Sequence, residues 1–283
     1  MKKIIISAAA AAMAAVMLGG CSLFGGQSTN AMGSYNFEEM KLVQLEKPAE
    51  GMDVAVFETS EGTMTAVLYT EYAPQTIANF KARAEEGFYD GKPFFAIQEG
   101  IYGITGSSSE DGTEGITEDG NFIPNECSVD LWPFKGALMG YSTNGTNANL
   151  GYSDSRFFFC GAVEMTDENM EELRGYTDTE TSRQVIPEDL IGALRDRGSV
   201  AALAGNYTVF GQVISGFDVL DKILWRETDP KTMKPLDEVK IISVTLDTYS
   251  ADKYHLEEPT ADKYVTVEEL EATESAAESS ASE

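Results

Sequence analysis

Short stretches of alternating apolar and polar residues, separated by glycine-containing turns, dominate the chain between residues 51 and 250. Alternation with a period of two is typical of strands that bury one face. Two such stretches, Val54–Thr59 and Met64–Tyr69, flank Ser60–Gly62, so the pattern predicts a β-hairpin there. Further short strands are predicted around Phe94, Leu138, Phe157–Phe159, Val209–Val213 and Val239–Leu246.

Two helices are predicted beside these strands. Pro74 suits the first position of a helix, and Gly87 ends that helix. The spacing of Phe217, Leu220 and Leu224 predicts a second helix. Many short strands with two flanking helices favour a mostly-β fold, namely a closed antiparallel barrel.

Two regions interrupt this pattern. Residues 103–120 are rich in Gly, Ser, Thr and acids, which predicts a surface loop. Residues 164–198 contain two helical stretches, Asp167–Arg174 and Glu188–Arg197, the second of which follows Pro187. This insertion is long for a barrel loop, so we expect it to be either a lid or a surface that binds a protein partner.

The N-terminus has the features of an export signal. A basic start precedes the apolar run Ile4–Leu18, which is shorter than the roughly 20 residues of a membrane span. The run ends in Leu18-Gly19-Gly20-Cys21, which resembles the lipobox of bacterial lipoproteins. The resemblance implies a signal peptide over 1–20, lipidation of Cys21, and an extracytoplasmic, membrane-anchored protein at the cell surface or in the periplasm. The alternative is an ordinary secreted signal with an incidental cysteine.

Two segments flank the predicted domain of residues 51–250. Residues 21–50 contain many Gly, Ser and Asn residues with little periodicity, which predicts a tether. Residues 251–283 are acidic and poor in apolar residues, which predicts a disordered tail. Such a tail is either an interaction segment or a solvated spacer.

Composition narrows the chemistry. The chain has 47 acidic and 20 basic side chains, a net charge of −27, which argues against a nucleic-acid partner. The lone histidine, His255, excludes Ser-His-Asp or Cys-His catalysis, and we expect neither a metal site nor a cofactor. Cys127 and Cys160 could form a disulfide outside the cytoplasm or remain buried thiols.

Several motifs occur in the order found in cyclophilin-type peptidyl-prolyl cis-trans isomerases, and together they resemble that family. They are Thr59–Gly62, Tyr69–Phe80, Gly87–Gly91, Ile123–Glu126, Lys135–Leu138, Ser155–Phe159 and Tyr207–Ile223. The resemblance covers about Met52 to Leu246. It implies an eight-stranded barrel capped by two helices that binds proline-containing peptides without a cofactor.

The family's catalytic arginine has no counterpart at its usual position. An X–Pro bond isomerises over a barrier of roughly 20 kcal/mol, and family members lower it by donating a hydrogen bond from an arginine to the prolyl nitrogen. The family's Phe-His-Arg-Val appears here as Phe94-Phe95-Ala96-Ile97, so the resemblance implies that Ala96 stands where the arginine is expected.

Other pocket positions keep apolar or aromatic residues. By the same resemblance, Ile101, Tyr102 and Ile104 replace a phenylalanine, a methionine and a glutamine of the family. Phe158 matches the pocket floor, Leu203 matches an apolar wall, and Tyr207 stands where many members have histidine.

Arg156 is the candidate replacement for the missing arginine. It occupies the position of a glutamine that lines the same cleft in the family. We therefore hypothesise that its guanidinium reaches the prolyl amide from the opposite wall. The alternatives are an Arg156 that points to solvent or pairs with a nearby acid.

Three functions remain open. The first is an extracytoplasmic, membrane-anchored isomerase with a degenerate site that assists the folding of exported proteins. The second is a weak or inactive module that binds a peptide or partner, for which the insertion at 164–198 offers a surface. The third, a solute-binding lipoprotein, fits the anchor but lacks alternating strand–helix units.

Overall fold

The alternating stretches of residues 51–250 form one antiparallel sheet of nine strands among the described residues. The strands are β1 (Asp53–Thr59), β2 (Gly62–Leu68), β3 (Ala96–Gln98), β4 (Tyr102–Thr105), β5 (Ile123–Pro124), β6 (Ala137–Ser142), β7 (Tyr152–Cys160), β8 (Val209–Ser215) and β9 (Ile241–Thr248). Their order is β3-β4-β7-β6-β8-β2-β1-β9, and β5 pairs with β7. The predicted mostly-β antiparallel architecture and the predicted hairpin are confirmed.

The computed structural model describes residues 36–117, 120–142, 152–176, 185–259, 263–270 and 272. The predicted signal peptide (1–20), Cys21 and the first part of the predicted tether therefore lie outside the described residues. Within the described residues, no helix is long and apolar enough to cross a membrane.

The barrel is open rather than closed, which differs from the prediction in this detail. The end strands β3 and β9 do not pair along their length, and one bridge, Pro93 to Lys240, links the chain just before them. The reason is the shortness of β3, which has three residues and then turns into β4. A three-residue strand has too few backbone N–H and C=O groups to close the barrel by hydrogen bonding to β9.

The two faces of the sheet bury different clusters. Helices α1 (Pro74–Glu85) and α4 (Phe217–Leu224) pack into the barrel core with Phe157 and Phe159 of β7. Phe158 and Cys160 alternate with those residues and belong to a second cluster on the opposite face of β7. This alternation puts the predicted pocket floor, Phe158, on the outer face of the barrel.

The insertion at 164–198 packs with part of the predicted tether. Its helices, α2 (Asp167–Gly175) and α3 (Glu188–Arg197), confirm the two predicted helical stretches. They share a third cluster with Trp132 and Phe37. Gln44 accepts a hydrogen bond from the Trp132 backbone and donates one back to its carbonyl, at 2.6 and 2.9 Å. Residues 36–50 are thus packed structure, because an apolar anchor and a buried amide hold a segment whose composition predicted a tether.

The described parts of the predicted tail, residues 251–259 and 263–270, also pack against the domain. Val265 is buried, and its backbone bonds to Ala162 and Glu164 at 3.0 and 2.8 Å. The Glu257 carboxylate accepts a 2.8 Å bond from the Gly216 N–H, at the start of α4. A negative charge is favourable at a helix N-terminus, so the Glu257 carboxylate helps to hold this part of the predicted tail against the domain.

Cys127 and Cys160 are free thiols, which decides between the two states left open by the sequence. Burial raises the pKa of the Cys127 thiol to about 12.

Candidate functional site

The register of four neighbouring strands aligns the predicted site residues across the outer face of the sheet. Ala96 of β3 pairs with Ile104 of β4, and Ile104 pairs with Phe158 of β7. Phe158 pairs in turn with Met139 of β6. Directly opposed residues of an antiparallel pair have side chains in contact range, so three predicted site residues form one row.

Two tyrosines pack against the Phe158 ring. The Tyr102 ring lies 6.0 Å from it and the Tyr207 ring lies 5.4 Å from it, both in edge-on geometry. Such arrangements are favourable for aromatic pairs. Tyr102 is in β4, whereas Tyr207 lies on irregular chain between a 3₁₀ turn at Ala201–Leu203 and β8.

All seven predicted pocket residues belong to one buried cluster. We call this set the site cluster: Ala96, Ile101, Tyr102, Ile104, Phe158, Leu203 and Tyr207. Each side chain is between 0 and 3% exposed. The structure therefore brings the predicted positions together, but in the described conformation they pack on one another and leave no member open to solvent.

Arg156 lies on the same face of β7 as Phe158, two residues earlier, and is 3% exposed. Its Nε donates to Asp154 Oδ1 at 3.0 Å, and its Nη2 donates to Oδ2 at 2.5 Å. Its Nη1 donates to the carbonyls of Gly112 and Thr113 at 3.0 and 2.9 Å. The guanidinium thus holds the loop 106–117 against β7, and four of its five N–H groups are already engaged.

Two residues of this region were missed in the sequence. Asp154 precedes Arg156 by two residues, so strand periodicity alone could have placed both on one face. Tyr141, in β6, lies with its ring 5.0 Å from the Arg156 guanidinium and 6.3 Å from the Phe95 ring. Its place in the sequence, just before a stretch rich in Asn and Gly, gave no signal of a buried aromatic.

The hydroxyls of the site cluster are neutral across the physiological range. Burial raises the pKa of Tyr102, and the neighbouring Tyr207 and Tyr141 raise it further. Burial, followed by Tyr141, raises the pKa of Tyr207 as well. Neutral phenols in an apolar surrounding can donate hydrogen bonds but cannot act as bases. In the described part of the chain, no group of three or more His, Cys, Asp or Glu residues is arranged to hold a metal ion.

The fold and the site together define a class: antiparallel β-barrels that present an apolar and aromatic site on their outer face. Comparison with known proteins makes the class specific. The sequence pattern of the cyclophilin type peptidyl-prolyl cis-trans isomerase/CLD family matches residues 54–246. The chain belongs to this family.

Individual relatives agree with that assignment. A candidate peptidyl-prolyl cis-trans isomerase of Staphylococcus aureus (strain COL) is 31% identical over 211 residues, which cover 72% of this chain and 97% of the relative. A candidate bifunctional phosphatase/peptidyl-prolyl cis-trans isomerase of Streptococcus pyogenes serotype M6 is 30% identical over 219 residues. That match covers 74% of this chain but only 43% of the Streptococcus protein.

A solved structure supports the fold. The cyclophilin type peptidyl-prolyl cis-trans isomerase of Cryptosporidium parvum superposes with a TM-score of 0.54 at 20% identity. The superposition covers 70% of this chain and 99% of that one.

Proposed function

We propose that this chain is a cyclophilin-type protein that binds proline-containing segments of exported proteins and isomerises them weakly, because its site is degenerate. Family membership supports prolyl-peptide chemistry. The support for slow isomerisation is Ala96, a buried alanine paired with Ile104 at the position where the family resemblance expects an arginine. Removing a preorganised donor commonly costs about 3–4 kcal/mol of transition-state stabilisation.

Arg156 remains the predicted substitute for that arginine. Its position on the same face of β7 as Phe158 supports the hypothesis, because this face carries the predicted pocket floor. Its four engaged N–H groups favour a structural role instead. To serve a substrate, Arg156 would have to exchange a buried carboxylate and two carbonyls for a peptide.

The experiment is proline cis/trans exchange spectroscopy on short X–Pro peptides with the full chain in detergent. Beside the parent we would measure Ala96→Arg, Ala96→Leu as a control for side-chain size, and Arg156→Ala. We expect slow exchange in the parent and faster exchange in Ala96→Arg but not in Ala96→Leu. Exchange lost in a folded Arg156→Ala would assign the catalytic donor to Arg156.

A second candidate function is a binding module without turnover, and Ala96, at the position where the resemblance expects the catalytic arginine, favours it. Peptide resonances that shift on addition of the parent, with no exchange cross-peaks, would select this function. Neither shifts nor exchange in the parent would contradict both candidates.

We also propose that the protein is anchored outside the cytoplasm through a lipid on Cys21. The support is the Leu18-Gly19-Gly20-Cys21 motif after a basic start and an apolar run. The test is metabolic labelling with a radioactive fatty acid followed by membrane fractionation. We expect label and membrane association in the parent and neither in Cys21→Ser, and equal fractionation of the two would refute the anchor.

A further inference from the structure

One buried hydroxyl of the site cluster has nothing to bond to. Tyr102 is 0% exposed, and its Oη has no hydrogen-bond partner among the described residues. By contrast, the equally buried Tyr89 donates its hydroxyl proton to the Ser155 carbonyl at 3.2 Å. A buried hydroxyl without a partner is destabilising and rare in folded proteins, so its presence among the predicted pocket residues calls for an explanation.

Tyr102 belongs to the buried cluster that contains the predicted pocket residues, and not to the cluster of the barrel core. Its ring packs edge-on against Phe158, the predicted floor for the proline ring. The residue is on β4, whose pairing with β3 and β7 restrains its backbone from both sides. A donor held on two paired strands is preorganised, which is the condition for stabilising a transition state electrostatically.

We propose that the Tyr102 hydroxyl is the hydrogen-bond donor to the prolyl amide of the bound peptide, in the role that the missing arginine would have. This inference rests on the proposed function and names the group that performs it. As the amide twists, its nitrogen loses conjugation and becomes a hydrogen-bond acceptor, which the phenol can satisfy without any proton transfer. A neutral donor is weaker than a guanidinium, so slow turnover follows from the same assignment.

Tyr207 is the side chain that must move to admit a proline. Its ring packs edge-on against Phe158 with the ring centroids 5.4 Å apart, and it sits on irregular chain rather than on a paired strand. Tyr102 and Phe158 are locked by strand pairing, so Tyr207 has the least backbone restraint of the three. Displacement of Tyr207 would uncover part of the Phe158 ring, against which Tyr102 also packs.

The test compares Tyr102→Phe with Tyr249→Phe in the full chain. Both changes delete one hydroxyl that is buried and unpartnered among the described residues, but Tyr249 stacks on Tyr254 at the end of β9, outside the site cluster. We expect exchange of an X–Pro peptide to fall about tenfold in Tyr102→Phe with the peptide Kd unchanged, and to stay at the parent level in Tyr249→Phe. Neither variant should melt at a lower temperature than the parent, because neither loses a hydrogen bond of the free protein.

Three results overturn the inference, and they are distinguishable. Exchange in Tyr102→Phe equal to the parent refutes the role of Tyr102 and leaves the proposed function intact. A fall that is matched by a lower melting temperature, or by the same fall in Tyr249→Phe, shows that the hydroxyl supports packing only. A parent without peptide exchange refutes the isomerase function itself, and the inference with it.

Discussion

The ion pair between Arg156 and Asp154 provides the sharpest test of how the site is built. Both side chains are 3% exposed, and the guanidinium also satisfies the carbonyls of Gly112 and Thr113. Arg156→Ala therefore leaves a buried carboxylate without its counter-charge and two loop carbonyls without a donor. Breaking a buried pair from one side costs about 3–5 kcal/mol, so we expect the free energy of unfolding to fall by that amount.

The assay is equilibrium urea unfolding followed by circular dichroism. The control is Lys222→Ala, which removes an ion pair to Asp218 whose side chains are 54 and 71% exposed and should cost less than about 1 kcal/mol. The double change Asp154→Asn with Arg156→Gln removes both charges and should cost less than Arg156→Ala alone. A loss below about 1 kcal/mol for Arg156→Ala would refute the buried pair and return Arg156 to the list of candidate donors.

Three further predictions concern single positions. A Cβ at Gly115 would lie 1.9 Å from Asp154 Oδ1, so Gly115→Ala should lower the free energy of unfolding by about 1–3 kcal/mol. A Cβ at Gly192, on α3, would meet no atom within 4 Å, so Gly192→Ala should raise the free energy of unfolding by about 0.5–1 kcal/mol. Urea unfolding of both variants checks these two values. Burial raises the thiol pKa of Cys127 to about 12, so a thiol reagent at pH 8 should modify Cys127 much more slowly in the native protein than after unfolding, and equal rates would contradict this. Burial, followed by the neighbouring carboxylates, raises the pKa of Glu99 above 4.5 in the folded protein, so its contribution to stability is complete below pH 4.5 and is lost as the pH rises through the folded-state pKa. The free energy of unfolding, measured across this pH range, should depend less on pH in Glu99→Gln than in the parent. An unchanged pH profile would contradict the prediction.

The sequence was sufficient for the fold because its strand signals are local. The alternation in Val54–Thr59 and Met64–Tyr69 became β1 and β2, and the proline at 74 starts α1 as expected. The flanking segments were harder to predict. Composition predicted a free tether and tail, but single residues such as Phe37 and Val265 are enough to anchor a polar segment to an apolar surface.

The site was predictable as a set of positions but not as an environment. The resemblance assigned Phe158, Tyr102 and Tyr207 to one pocket, and the structure places both tyrosine rings beside the Phe158 ring. Whether these side chains pack on one another or leave an open pocket depends on the sizes of residues from several strands, which no single sequence motif contains. The partner of Arg156 was also invisible, because the choice among solvent, substrate and Asp154 depends on how a loop closes over β7.

The packing of residues 36–50 against the insertion limits how far the domain can lie from the proposed lipid anchor. If Cys21 carries the proposed lipid, fifteen residues, 22–36, separate the anchor from Phe37, which packs in the third cluster. Even fully extended, such a length of chain spans no more than roughly 50 Å. A domain so tethered would act on proline-containing segments that come within that distance of the membrane surface.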